Sequence, residues 1–129
     1  MKRTVLFFVS VLSFTFSVAG QSISDFSYRV DDGKVTITGY YGETKEVVIP
    51  NRILNFPVTS IGDEAFMESE LTGVTIPNSV TSIGNEAFSS QLKLEEDATA
   101  YTLTNVSIPS SLKNIGNNAF DRSAEITRR

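Results

Sequence analysis

Neither histidine nor cysteine occurs among the 129 residues, and tryptophan is absent too. Imidazole and thiolate are the commonest nucleophiles, general bases and zinc ligands, so Ser-His-Asp triads, cysteine nucleophiles and Cys/His zinc sites are excluded. Acid–base chemistry would fall to paired carboxylates, for which Asp63, Glu64, Glu68, Glu95, Glu96 and Asp97 are the candidates. A hydrolase of that kind needs two carboxylates opposed across a cleft, about 5–10 Å apart. Asp63-Glu64 and Asn85-Glu86 instead recur at one corner of a repeated pattern, as solvated turn residues do. Asp31 and Asp32 fall well short of the roughly 6–8 oxygens that calcium takes, and turn chemistry accounts for Asp31-Asp32-Gly33. The expectation is no enzyme: no catalytic residue, no metal ligand and no cofactor.

Length and composition, with 40% hydrophobic and 20% charged residues, suit one modest globular domain. Eleven basic against fifteen acidic residues give a net charge of −4. That balance argues against nucleic acid as a partner and against a polybasic membrane patch. Residues 1–20 read as a signal peptide: Lys2 and Arg3, an apolar run from Thr4 to Val18, then Ser17-Val18-Ala19-Gly20 with small residues placed for cleavage after Ala19 or Gly20. The alternative is an uncleaved membrane anchor, against which the run is short of the ~20 residues a spanning helix needs, and no later stretch is long and apolar enough to span, so no membrane insertion is expected after cleavage. Loss of Lys2 and Arg3 leaves nine basic and fifteen acidic residues, a net charge of −6. The expected location is secreted, extracellular or cell-surface, with no cysteine for disulfides or lipid attachment.

An internal repeat decides the fold. Residues 71–88 (LTGVTIPNSVTSIGNEAF) and 103–120 (LTNVSIPSSLKNIGNNAF) are identical at 11 of 18 positions. Upstream, VTSIGDEAF (58–66) matches VTSIGNEAF (80–88) at 8 of 9, and Val47-Val48-Ile49-Pro50 aligns with Val74-Thr75-Ile76-Pro77 after allowing five extra residues around Asn51 to Pro57. Apolar steps of 3 and then 2, as in Leu71, Val74 and Ile76, fit a short strand reached from a turn. Proline has no N–H to continue a ladder, so Pro77 marks the corner where the chain leaves the sheet. Gly84 marks a second corner, after which Asn85-Glu86-Ala87-Phe88 is expected to form one helical or 3₁₀ turn. Each coil supplies too few inward apolar side chains for its own core, and stacking joins them into one. Ile83 and Ile115 are expected among those inward residues.

The unit L-x-x-V-x-I-P-x-x-V-x-x-I-G-x-x-A-F, with its spacing near 22 residues, resembles the BspA-type (Treponema-type) leucine-rich repeat from about Val47 to Phe120. Ser69 and Ser123 stand where that family commonly has a cysteine. The resemblance implies a surface or secreted protein that binds other macromolecules, often in attachment, and it implies no catalysis. The expected architecture is mainly β: a short leucine-rich-repeat solenoid of about three coils with an N-terminal β-hairpin cap. Its expected parts are a signal peptide (1–20), a cap and lead-in strand (21–46), and repeats at 47–66, 71–88 and 103–120 within 47–129, interrupted by an insertion at 89–102.

Alternation on either side of Asp31-Asp32-Gly33-Lys34 predicts the hairpin, with Phe26, Tyr28 and Val30 on one face and Val35 and Ile37 on the facing strand. Residues between the inward apolar ones project from the strand face: Lys45, Glu46 and Val48, then Thr72, Gly73 and Thr75, then Thr104, Asn105 and Ser107. They are the expected binding residues for an extracellular protein or glycan, with Tyr40, Tyr41 and Tyr101 as the nearest aromatic anchors. Asn105-Val106-Ser107 fits the glycosylation pattern by chance, given that Val106 is a core position. At the other end the pattern stops mid-unit, with Ile126 near where the next strand's leucine would fall. Self-association through this C-terminal coil is the structural alternative.

Overall fold

The computed structural model describes residues 21–89, 103–121 and 126–128, so the expected signal peptide (1–20) and all of the 89–102 insertion except Ser89 lie outside the described residues. Among the described residues the chain winds through ten short strands: β1 (Phe26–Asp31), β2 (Lys34–Tyr40), β3 (Glu46–Val48), β4 (Arg52–Ile53), β5 (Phe56–Ile61), β6 (Gly73–Thr75), β7 (Ser82–Ile83), β8 (Asn105–Ile108), β9 (Asn114–Ile115) and β10 (Ile126–Arg128). They form two sheets. One runs β3-β6-β8-β10 and is parallel throughout; the other runs β1-β2-β5-β7-β9, with β4 paired to β5. Each coil places one strand in each sheet, β3 and β5, then β6 and β7, then β8 and β9, and the result is a solenoid of three coils.

The hairpin forms as its alternation predicts. Val30 faces Val35 and Tyr28 faces Ile37, and Asp32 and Gly33 take φ of 50° and 69°, as a two-residue type I′ turn requires. Phe26, Tyr28, Val35 and Ile37 are buried, and burial holds the Tyr28 phenol above its ordinary pKa. The hairpin covers the first coil by pairing β2 parallel to β5, so it closes the six-stranded sheet. The other sheet ends differently. Gln21 lies beside β3, where its side-chain amide accepts from the Val48 N–H at 2.9 Å and donates to the Val48 carbonyl, so one side chain substitutes for a neighbouring strand. The five extra residues near Asn51 become the β4–β5 hairpin, turned by Leu54 and Asn55 at φ of 50° and 66°.

Each Ile-Pro step ends a ladder. The Ile49 and Ile76 N–H groups still donate to the next coil, at Thr75 and Ser107, and Pro50 and Pro77 then leave no donor. The apolar residues on both sheets meet in one core, in which Val47, Ile49, Val58, Ile61, Val80 and Val106 are at most 1% exposed. A column of rings runs through it: Phe26, Tyr40, Phe66, Phe88 and Phe120 follow one another at centroid distances of 5.2, 5.8, 4.8 and 5.1 Å.

Three expectations need correction. The Ala-Phe corners are not helical: Glu64, Glu86 and Asn118 take φ between 53° and 57°. That left-handed residue points alternate N–H groups along the solenoid axis, so Glu64 and Phe66 donate to Asn85 and Ala87, and Glu86 and Phe88 to Asn117 and Ala119. A helical turn would close its hydrogen bonds on itself. Ile115 keeps the register of Ile83 yet is 51% exposed, because β9 is the outermost strand of its sheet. Ile126 pairs with Val106 rather than standing in the leucine position, so β10 adds a fourth strand.

The glycine corners follow from the same stacking. A Cβ on Gly84 would lie 2.5 Å from the Asp63 amide nitrogen and 2.7 Å from the Gly62 carbonyl carbon, and one on Gly116 would meet the Gly84 and Asn85 backbone just as closely. Neither glycine has positive φ, so space and not backbone conformation demands it. At Gly73 the nearest atom is the Glu46 side-chain Cγ at 3.3 Å, which can move. Gly84→Ala should therefore lower stability by about 1–3 kcal/mol in denaturant titrations, and Gly73→Ala by less than about 1 kcal/mol. Equal effects would contradict this reading of the corners.

Candidate binding surface

The strand face is built by register. Val47, Val74, Val106 and Ile126 align across the four-stranded sheet, and the first three point inward and are at most 3% exposed. Their neighbours alternate outward, so Glu46, Gly73 and Asn105 form one row and Val48, Thr75 and Ser107 another. Glu46, Val48, Thr75 and Asn105 are exposed, and Ser107 is half-buried. Gly73 is buried, with Glu46 and Asn105 close on either side of it.

Lys45, Thr72 and Thr104 form a third row just before the strands, and it does structural work. The Thr72 N–H donates to the Lys45 carbonyl at 2.8 Å and the Thr104 N–H to the Thr72 carbonyl at 3.0 Å. Both hydroxyls donate to the same carbonyls, at 3.4 and 3.2 Å. The Thr72 and Thr104 side chains thus tie coils together, whereas Thr75, Asn105 and Ser107 join the inter-coil ladder through backbone alone and their side chains make no such bond among the described residues. Lys45 Nζ lies 3.8 Å from Glu70, an exposed pair of little energetic weight.

Beyond the upstream end of this face, residues 40–45 and 69–71 enclose a cleft of about 340 Å³. Tyr40 belongs to the ring column, with its phenol on Thr44. Tyr41 is 77% exposed. Tyr101 lies outside the described residues.

Among the described residues the candidate carboxylates do not assemble a catalytic pair. Asp63 Oδ1 accepts the Asn85 N–H at 2.7 Å, and Asn85 Oδ1 accepts the Asn117 N–H at 2.8 Å. Asp63 is therefore the first rung of a side-chain ladder. Glu64 and Glu68 are exposed corner residues with positive φ, and Glu95, Glu96 and Asp97 lie outside the described residues. Among the described residues no group of three acidic side chains is placed to hold a metal ion, and no helix is long and apolar enough to cross a membrane.

Sequence reasoning did not find the Gln21 edge cap or this ladder. The ladder had a signal, since Asp63, Asn85 and Asn117 follow the corner glycine in all three copies. The cap had none, because it depends on where the chain meets the sheet edge.

The family model describing a BspA-type leucine-rich repeat region of six copies matches residues 40–100 and again 59–128. Among curated proteins none matches. Among solved structures, a leucine-rich cell surface protein from Faecalibacterium prausnitzii A2-165 superposes with a TM-score of 0.65 at 29% identity, over 88% of this chain and 30% of that one. The chain thus spans under a third of that protein's length. A leucine-rich repeat protein from Bacteroides capillosus ATCC 29799 superposes with a TM-score of 0.58 at 22% identity, over 84% of this chain and 97% of that one, a likeness of fold.

The division between outward and coil-tying hydroxyls is testable. Thr75→Ala and Ser107→Ala should leave stability within about 0.5 kcal/mol of the parent, and Thr104→Ala should cost about 0.5–1.5 kcal/mol in urea unfolding. Loss of folding in Thr75→Ala or Ser107→Ala would show that the face assignment is wrong.

Proposed function

From the premise that this chain belongs to the BspA-type leucine-rich repeat family, we propose that it is an exported, non-catalytic binding module that attaches to an extracellular protein or glycan through its strand face. The carrying observation is the pair of outward rows on the parallel sheet, held in register by a buried inward row, with the side chains of Thr75, Asn105 and Ser107 making no coil-tying bond among the described residues. Such a surface is flat, small-featured and rich in hydrogen-bonding groups. It suits contact over a broad area and lacks the Trp and Arg anchors of deep hot spots. The signal-like residues 1–20 and the likeness to a cell surface protein support placement outside the cytoplasm.

One observation favours a second reading, self-association through the last coil. Ile115 is 51% exposed on the outermost strand of its sheet, and Phe120 stacks on Phe88 yet is only partly buried. Light-scattering mass that climbs with concentration, and returns to the monomer value in Ile115→Lys, would support it.

The primary reading is tested by binding of the purified chain to immobilised matrix proteins and mucin-type glycans, beside a Thr75→Arg/Ser107→Arg double variant. Binding should fall at least tenfold in the variant, a loss of about 1.4 kcal/mol. Its melting temperature should stay within about 3 °C of the parent. No binding across the panel, or binding that the variant retains, would overturn the proposal.

A further inference from the structure

We propose that the cleft between residues 40–45 and 69–71 is a subsite for one neutral pyranose unit of a glycan, with Tyr41 as its stacking platform. The inference rests on the strand-face reading and names a ligand class for it, since Lys45 both lines the cleft and begins the outward surface.

The cleft is pre-formed. The Tyr40 phenol bonds to Thr44 on one side and leaves no room for a side chain on Gly42 at the other, so the loop is held open around Tyr40. The Tyr41 N–H donates to the Asp25 carbonyl at 2.7 Å, anchoring its backbone. Its phenol end leans over Gly39, where a Cβ would stand 3.3 Å from the hydroxyl oxygen. The ring is thus positioned without being buried, unlike Phe26, Tyr40 and Phe66 beside it.

The lining chemistry selects the ligand. Glu43 and Glu70 offer carboxylate acceptors, Thr44 a hydroxyl, and Lys45 an ammonium donor 3.8 Å from Glu70. A cationic side chain would have to displace Lys45 from Glu70, and an anionic group would face two carboxylates. A neutral sugar meets both demands, because each hydroxyl donates to a carboxylate and accepts from the ammonium. The C–H groups on one pyranose face carry partial positive charge and match the negative face of the Tyr41 ring. A volume of about 340 Å³ stands at the low end of ligand sites, suiting one ring of a longer chain.

The test is an NMR titration of the full chain with maltotriose, lactose, mannotriose and N,N′-diacetylchitobiose, following the tyrosine ring resonances. At least one sugar should shift Tyr41 saturably, with the dissociation constant rising at least tenfold in Tyr41→Ala and changing less than about threefold in Tyr41→Phe, which keeps the stacking face. No Tyr41 response to any of the four sugars, or unchanged binding in Tyr41→Ala, overturns the inference. The Thr75→Arg/Ser107→Arg variant separates it from the reading beneath it. If that variant keeps its macromolecular binding and Tyr41 still takes sugar, the strand-face reading fails and the subsite stands.

Discussion

One spacing governs this molecule. Strands in a sheet lie about 4.8 Å apart, and Phe66 and Phe88 stack at 4.8 Å, with Phe88 and Phe120 at 5.1 Å and planes within 4° of parallel. Offset stacking of aromatic rings is favourable at that separation, so side chains in the core repeat at the distance the backbone ladders impose. The same distance carries the Asp63–Asn85–Asn117 rungs and the threonine bridges from Thr104 to Thr72 and on to Lys45. It also removes the space for a Cβ at Gly84 and Gly116. Backbone, polar side chains, rings and glycines are four responses to one period.

The proposed binding surface follows from that rigidity. Because the inward valines are packed and the coils are locked at two corners, the outward rows cannot slip relative to one another, and a shift of one residue would turn Val74 to solvent and Thr75 to the core. On the proposed reading, a ligand would meet a preset array, with little ordering entropy left to lose on binding. The two ends of the solenoid are treated differently. The first coil is covered by a hairpin on one sheet and by the Gln21 side chain on the other, whereas the last described coil exposes Ile115 and half-exposes Phe120.

Much of this was legible in the residues. The repeat of Leu, Val, Ile-Pro, Ile-Gly and Ala-Phe announces coils, and all but one of its apolar positions from Leu71 to Ala119 are buried where the pattern places them. Asp32-Gly33 announces the hairpin turn. The second sheet was hidden because β7 and β9 are two residues long, too short for alternation to show. The left-handed glutamates at the Ala-Phe corners were hidden because Glu64 and Glu86 carry no intrinsic preference for positive φ. The inter-coil hydrogen bonds impose it. Ile115 fails as a core residue for a reason no local pattern holds: burial there depends on the next coil. The outward face was legible as a face, but the structural use of Thr72 and Thr104 was not, since hydroxyls that tie coils and hydroxyls that face outward look alike in sequence.

The central claim is that the coils share one core and stand or fall together. Native-state hydrogen exchange of Phe88→Ala tests it most directly, by comparing the Val35 amide in the hairpin with the Val106 amide in the last coil. Removal of the middle ring should lower the opening free energy at both by the same amount, about 3–5 kcal/mol, a large share of the stability of so small a domain. Loss confined to Val106, with Val35 protected as in the parent, would mean that the hairpin and first coil are stable without the rest, and would contradict the account.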